Sequence, residues 1–216
     1  MGTGVLAPSC LESFMTTARD LMIVALEEQP GSPVEQGDLS LALAGAEVLD
    51  LLDAKVLTVD GDRVVPEPHR GPDDSLLAEA VAALDRQKPY ETVEEWLWRR
   101  GRGLAARYLA ALEEDGEVER RSRWMTLRAE RPVLTDSGAR RRARERWASH
   151  DPVLTHLAAA VGVRREPAQD GQDIADDRIL AVLAAVGDAV VQLEAVRQQK
   201  TVEEAAFDNV WRGGGD

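Results

Sequence analysis

The sequence contains few of the residues that bind metals or cross-link protein chains. It has one cysteine, Cys10, and three histidines, at positions 69, 150 and 156, among 216 residues. One cysteine cannot form a disulfide within the chain, and metal clusters held by thiolates need several. His150, Asp151 and His156 have a spacing that is not specific for a metal ion. We therefore expect no disulfide, no metal site and no cofactor.

The sequence also lacks the usual membrane and export signals. No uninterrupted apolar run approaches the ~20 residues that a membrane-spanning helix needs. The N-terminus has no basic stretch followed by an apolar core. Position 6 is Leu6, where a myristoylation pattern requires Ser or Thr. From these absences we expect a cytoplasmic protein with no spanning helix and no secretion signal.

Motifs of common enzyme classes are missing as well. The chain has no Gly-x-Ser-x-Gly, His-Glu-x-x-His or Cys-x-x-Cys. The Gly101-Arg102-Gly103 triplet is too short for a phosphate-binding loop, and it follows a predicted helix rather than a strand. Acidic pairs such as Glu27-Glu28 do not face one another on a helix. We predict no catalytic residues and a protein that is not an enzyme.

The charge is distributed unevenly along the chain. The formal net charge is −13, yet residues 99–165 contain 16 Arg, no Lys and 9 acids, a net of +7. The remaining residues have a net of −20. Arginine binds phosphate groups in a bidentate manner and is weakly hydrated, so a basic segment of this kind suits anionic lipid or nucleic acid. The densest basic run, at 140–146, is equally compatible with a helix that pairs with acids elsewhere in the chain.

Helical periodicity covers most of the sequence. The second predicted helix is densely apolar and is expected to be central. Thr92 and Glu95 form a capping-box pattern at the start of the fourth predicted helix. The predicted helices span 12–28, 39–53, 73–86, 92–98, 104–115, 135–147, 152–161, 176–197 and 201–210.

Two short β-hairpins interrupt the helices. The first is predicted over 55–65, with Asp60-Gly61 supplying the turn. The second is predicted over 117–127, with Ser122-Arg123 near its tip and Trp124-Met125 just beyond. Without βαβ alternation, the pattern predicts a mainly α, single-domain fold with short β-hairpins over 1–212. The residues 213–216 are predicted to form a disordered tail.

Four stretches resemble the Golgi phosphoprotein 3 family, and together they extend over nearly the whole chain. They agree with it in order and spacing, although no single string is diagnostic. The stretches are the apolar helix and strand at 43–56, the segment Glu91-Thr92-Val93-Glu94-Glu95-Trp96-Leu97, the helix from Arg102 to Gly116 with its hairpin and Arg131-Pro132-Val133-Leu134-Thr135, and Asp176-Asp177-Arg178 with the helix Ile179–Ala189 and Ala205-Ala206.

The resemblance implies a central apolar helical bundle ringed by amphipathic helices, with a projecting hydrophobic hairpin. It also implies a non-enzymatic, peripheral membrane protein that binds phosphatidylinositol 4-phosphate. Its partners would be an anionic phospholipid surface and membrane proteins for which it acts as an adaptor. We accordingly expect a bacterial family member that is cytoplasmic and peripherally membrane-associated, with no nucleic-acid partner.

The residues of the family's headgroup pocket are only partly present. The family uses a Trp and an Arg near the first apolar helix, and the corresponding positions here are Val34 and Leu43. Of two later Arg residues, one aligns with Arg102 and the other with Ala105. The resemblance therefore predicts a headgroup site at Arg102 whose chemistry differs from the family pattern.

The second hairpin departs less from the family, where exposed apolar residues of this hairpin enter the bilayer. Here Trp124 and Met125 are predicted to insert, because a Trp among arginines suits the headgroup boundary of a membrane. Arg120, Arg121 and Arg123 are predicted to contact lipid headgroups. The alternative is that Trp124 folds back onto the helix that follows Arg102.

Two other functions remain open at the level of sequence. A helix with an Arg-rich hairpin also fits a winged-helix-like DNA-binding regulator, although the net charge of −13 disfavours approach to DNA. The mismatches at Val34, Leu43 and Ala105 fit a protein–protein scaffold that has lost lipid binding. We interpret Trp96, Trp98 and Trp211 as core or helix-packing residues.

Overall fold

Eight helices and two small hairpins make up the described part of the chain. The computed structural model describes residues 16–28, 34–68, 71–121, 131–163 and 174–213, with the backbone alone at 121, 131 and 204–213. In chain order the elements are α1 (Thr17–Glu27), α2 (Gln36–Asp53), β1 (Leu57–Asp60), β2 (Arg63–Pro66), α3 (Ser75–Ala83), α4 (Val93–Arg100), α5 (Leu104–Glu114), β3 (Val118–Arg121), β4 (Arg131–Leu134), α6 (Gly138–Ala148), α7 (Pro152–Ala160) and α8 (Asp177–Gly213). The expected mainly α, single-domain class is confirmed.

Side-chain caps determine where several helices begin. The Thr16 hydroxyl accepts a hydrogen bond from the Arg19 N–H at 3.1 Å at the start of α1. The predicted capping box of Thr92 and Glu95 is present at the start of α4. Asp151 caps α7, where Pro152 occupies the first turn. Each cap satisfies a backbone N–H that has no partner within its helix.

The apolar helix α2 is central, as its composition predicts. It contacts α1, α4, α5, α7 and α8, and 13 of its 18 residues are buried. At Gly45 a side chain would come within 2.3 Å of a methyl group of Val186 on α8. Glycine at this position therefore allows α2 and α8 to pack closely.

The hairpins differ from their predicted bounds. β1 and β2 pair antiparallel around the predicted Asp60-Gly61 turn, where Gly61 adopts a φ of +62°. β3 pairs with β4 at Arg131–Leu134, so the prediction that the second hairpin returns by Leu127 is wrong. Its connection is longer than a tight turn, and residues 122–130 lie outside the described residues.

Helix α8 is continuous where the sequence predicted two helices. The predicted break at 198–200 falls on Gln198-Gln199-Lys200, and these residues have good helix propensity. The helix also extends to Gly213, so the disordered tail predicted from that residue does not begin there. Residues 214–216 lie outside the described residues, as do the first residues of the helix predicted over 12–28.

Helix α8 contains a strongly apolar stretch. An 18-residue window within its segment Asp177–Glu203 has a mean hydropathy of 1.9, and the segment is long enough to cross a membrane, the one such helix in the described part of the chain. Core helices of soluble proteins also reach these values, and Val182, Val186 and Ala189 on α8 are fully buried. The same helix exposes Val191 and Val202, so it has apolar residues on more than one side.

An ion pair lies inside the apolar core. The Arg100 guanidinium donates two hydrogen bonds of 2.8 Å to the Glu47 carboxylate, and a third of 3.1 Å to the Leu76 carbonyl. The Tyr108 hydroxyl donates to the same carboxylate at 3.2 Å. Burial and the charge of Glu47 raise the pKa of Tyr108 well above its usual value. This cluster connects α2, α3, α4 and α5.

We predict that Arg100→Leu lowers the free energy of unfolding by about 3–5 kcal/mol, because it leaves the Glu47 charge buried without a counterion. Combining it with Glu47→Leu should recover at least about 1 kcal/mol, since no charge then remains in the core. Urea denaturation of the two single variants and the double variant measures this coupling. Additive losses would contradict the prediction.

A second prediction concerns Asp50, whose carboxylate accepts hydrogen bonds from the Thr17 and Ala18 N–H groups. Burial raises the pKa of Asp50 to about 7, from an ordinary value of 3.8. The folded state therefore binds this proton more tightly than the unfolded chain. This contribution to stability is complete below pH ~4 and is lost as the pH rises through about 7.

Relative to Asp50→Asn, the wild type should accordingly lose more than about 1 kcal/mol of unfolding free energy between pH 4 and 7. Urea denaturation at several pH values measures the difference. Parallel pH profiles for the two proteins would show that Asp50 does not titrate differently in the folded state.

Candidate functional site

An open pocket of about 330 Å³ lies where α2, the α4–α5 turn and α8 meet. Its lining is mainly apolar, with three glycines and one cation. The lining residues are Gln36, Gly37, Ser40, Leu41, Trp98, Gly101, Arg102, Gly103, Ala106 and Leu193. Arg102 is thus the sequence-predicted headgroup residue that the structure places in a pocket.

The turn between α4 and α5, which contains Arg102, packs closely against α2. Arg100, two residues earlier, is fixed in the core by Glu47. A side chain at Gly101 would lie 2.5 Å from the Leu97 carbonyl and 3.3 Å from the Ser40 carbonyl, so only glycine fits this contact without displacement. Gly103 has a φ of +68°, a left-handed conformation that glycine adopts without strain.

Two helix N-termini border the pocket. α2 begins at Gln36 and α5 at Leu104, and the residue before each helix makes no side-chain capping hydrogen bond. The Ala105 N–H of α5 donates to the Ser40 hydroxyl of α2 at 3.1 Å, which joins the two helix starts. The helix dipole favours a negative charge at such a position.

The Arg102 side chain is exposed, and it forms no ion pair with another described residue. Nearby, Asp38 in the first turn of α2 is paired with Arg197 of α8 at 2.8 Å, and this pair partly neutralises the carboxylate. Arg102 is therefore an available cation beside two helix N-termini. A phosphate or carboxylate group matches this arrangement chemically.

Trp98 also lines the pocket, in addition to the core or helix packing that the sequence predicts for it. It packs partly against the core and remains half-buried. Trp96, two positions earlier, is fully buried as expected, and its indole N–H donates to the Ala44 carbonyl. Helical periodicity could have separated the two, because residues two positions apart face different directions. The side chain of Trp211 lies outside the described residues.

The positions that differ from the family pattern are filled by packing residues. Leu43 is fully buried in the core, and Ala105 is buried beside Ser40. Val34 is half-buried two residues before α2 begins. None of these three side chains supplies a charge or an aromatic ring to the pocket.

Of the predicted hairpin residues, the structure describes the side chain of Arg120, which does not line the pocket. Arg120 on β3 is exposed and donates to Glu113 at 2.8 Å, near the C-terminal end of α5. Arg102 precedes the N-terminal end of that helix, so the two arginines are separated by its length, about 16 Å. The Arg121 side chain, together with Arg123, Trp124 and Met125, lies outside the described residues.

The basic run on α6 is engaged in ion pairs. Arg140 and Arg144 both contact Glu27 of α1, with the Arg140 pair at 2.9 Å. Arg146 binds Asp20 at 3.1 Å and Asp151 at 3.0 Å. Three of its arginines therefore attach α6 to its neighbours, as one of the two interpretations predicted. This pairing removes the support that the run gave to a DNA-binding helix.

The chain is similar to a known protein family. The sequence profile of Golgi phosphoprotein 3 (GPP34) matches residues 18–205, which include the pocket and most of the chain. A search of curated proteins found no match.

We predict that Gly101→Ala destabilises the protein by about 1–3 kcal/mol, because the added methyl group would collide with the Leu97 carbonyl of α4 and crowd the Ser40 carbonyl of α2. Gly71→Ala is the matched control, since a side chain at Gly71 meets open space. It should change the unfolding free energy by less than about 0.5 kcal/mol. Equal effects of the two substitutions in thermal or urea denaturation would contradict the tight contact at Gly101.

Proposed function

The chain belongs to the Golgi phosphoprotein 3 family, and on that premise we propose that it is a peripheral membrane protein that binds anionic phospholipid headgroups. The family is not a known enzyme family and is consistent with a non-enzymatic role in binding lipid or protein. By resemblance, the proposed headgroup is phosphatidylinositol 4-phosphate. The proposed location is the cytoplasmic surface of a membrane, with membrane proteins as further partners.

The observation that supports this proposal is the position of Arg102. It is an exposed arginine without an ion-pair partner among the described residues, in a pocket bordered by the N-termini of α2 and α5. Most other described arginines of the basic segment contact an acid, whereas Arg102 is available for a ligand. An arginine beside the positive end of a helix dipole suits a phosphate monoester.

The second hairpin is proposed as a separate membrane contact. Arg120, Arg121 and Arg123 would add electrostatic attraction, and Trp124 with Met125 would insert shallowly at the interface. Each cation near an anionic surface contributes about 1 kcal/mol, so the pocket and the hairpin together give modest, reversible binding. A protein partner would then supply the second signal for stable recruitment.

A protein–protein scaffold is the second candidate, and α8 is the observation that favours it. Val191 is 69% and Val202 68% exposed on this helix. A contiguous exposed apolar patch often marks a contact with another protein, and a partner that covers both valines would bury such a patch on α8. The two functions are compatible, because the pocket and these valines are different parts of the surface.

Vesicle co-sedimentation at low salt tests the lipid proposal. The wild type should pellet with phosphatidylcholine vesicles that contain phosphatidylinositol 4-phosphate, and less with phosphatidylinositol, cardiolipin or phosphatidylcholine alone. Arg102→Ala should weaken binding to the 4-phosphate about fivefold to tenfold, because it removes a cation that contacts phosphate.

Arg141→Ala is the matched control for that experiment. Arg141 is exposed on α6 and makes no ion pair with a described residue, so its replacement removes the same charge outside the pocket. Equal losses from Arg102→Ala and Arg141→Ala would reduce the interaction to general electrostatics. Absence of pelleting by the wild type would reject the lipid proposal and favour the scaffold.

A further inference from the structure

The pocket is larger than a bound phosphate group requires. Its volume of about 330 Å³ falls in the range of about 300–1,000 Å³ that is typical of small-molecule sites. A single water molecule takes up only about 30 Å³ in the liquid, and a phosphate group is not many times larger. The polar groups at Arg102 and Ser40 therefore occupy only part of the site. The body of the ligand must contact the remaining wall.

That wall is apolar and contains one aromatic residue. It is formed by Trp98 from α4, Leu41 from α2, Ala106 from α5 and Leu193 from α8. Trp98 packs partly against the core, so its ring is held in place, and the half-buried side chain still borders the pocket. A fixed aromatic surface recognises the C–H face of a ring better than a flexible chain.

Trp98 and Arg102 both border this pocket, so they can contact one ligand. Trp98 lies near the end of α4, and Arg102 lies in the turn that follows this helix. A phosphate on Arg102 would therefore place the group that it is attached to near the indole.

From this juxtaposition we infer that Trp98 determines specificity, selecting a phosphate attached to a cyclic polyol over a phosphate attached to an open glycerol chain. The inference rests on the proposed lipid function and names the residue that discriminates among headgroups. Trp98 supplies this aromatic surface from α4. Val34, near the start of α2, occupies the position at which the family has a Trp. Arg102 supplies the charge recognition that both kinds of ligand share.

Calorimetric titration with water-soluble, short-chain lipids tests the inference. The two probes are dibutanoyl phosphatidylinositol 4-phosphate and dibutanoyl phosphatidic acid, which share a phosphate monoester and differ in the ring. Trp98→Leu should weaken binding of the first about fivefold to tenfold and change binding of the second by less than about twofold. Trp98→Phe, which keeps an aromatic surface, should retain most of the preference.

The variants separate this inference from the lipid function itself. Arg102→Ala should weaken both probes, because both have the phosphate. If Trp98→Leu preserves the preference for the ring, or weakens both probes equally, the role of Trp98 is overturned while the lipid function stands. A wild type that binds vesicles but neither soluble probe also overturns it, because the pocket is then not the headgroup site. Thermal denaturation verifies that each variant is folded. If Trp98→Leu does not fold, the binding of the two probes is compared with Trp98→Phe instead.

Discussion

The arrangement of the helices depends on one ion pair that the apolar core encloses. Glu47 and Arg100 join α2 to α4, and their remaining hydrogen bonds reach Tyr108 on α5 and the Leu76 carbonyl on α3. Removing two charges from water has a high cost, so this pair contributes little net stability. Its directional bonds do fix how four helices meet. The turn that contains Arg102 begins directly after Arg100, and the position of the pocket follows from the same bonds.

Charge along the sequence is a poor guide to charge on the surface. Residues 99–165 have a net of +7, but Arg140 and Arg144 meet Glu27, more than 110 residues earlier in the chain. Such pairs form because α1 and α6 pack together, and no local pattern indicates that contact. Exposed pairs contribute only about 0–1 kcal/mol each, so their main consequence here is electrostatic. Most other described arginines of this segment contact an acid, whereas Arg102 has no ion pair with a described residue.

Local signals predicted the local structure. Helix caps at Thr92 and Asp151, the Asp60-Gly61 turn and the apolar pattern of α2 were sufficient to place those elements. The predictions failed where the outcome depends on distant contacts. β4 begins at Arg131 because of its pairing with β3, and α8 stays helical past Gln198 because nothing in that segment interrupts it. For the candidate site, the resemblance predicts a headgroup role for Arg102, and this residue lines the pocket. The sequence did not predict that Trp98 lines the same pocket, because this depends on where α2 and α8 pack.

Helix α8 contributes to both surfaces that the two proposed functions use, the pocket and the exposed valines. Its inner side packs on α2, where Gly45 accommodates Val186, and its next turns place Leu193 in the pocket and Arg197 on Asp38. Its outer side exposes Val191 and Val202. A helix that is apolar on all sides is normally covered on all sides. The inner contacts are therefore explained by the fold alone, whereas the outer valines contribute nothing to it. Since Leu193 of α8 forms part of the pocket wall, the proposed lipid binding depends on the helix–helix interface at Gly45.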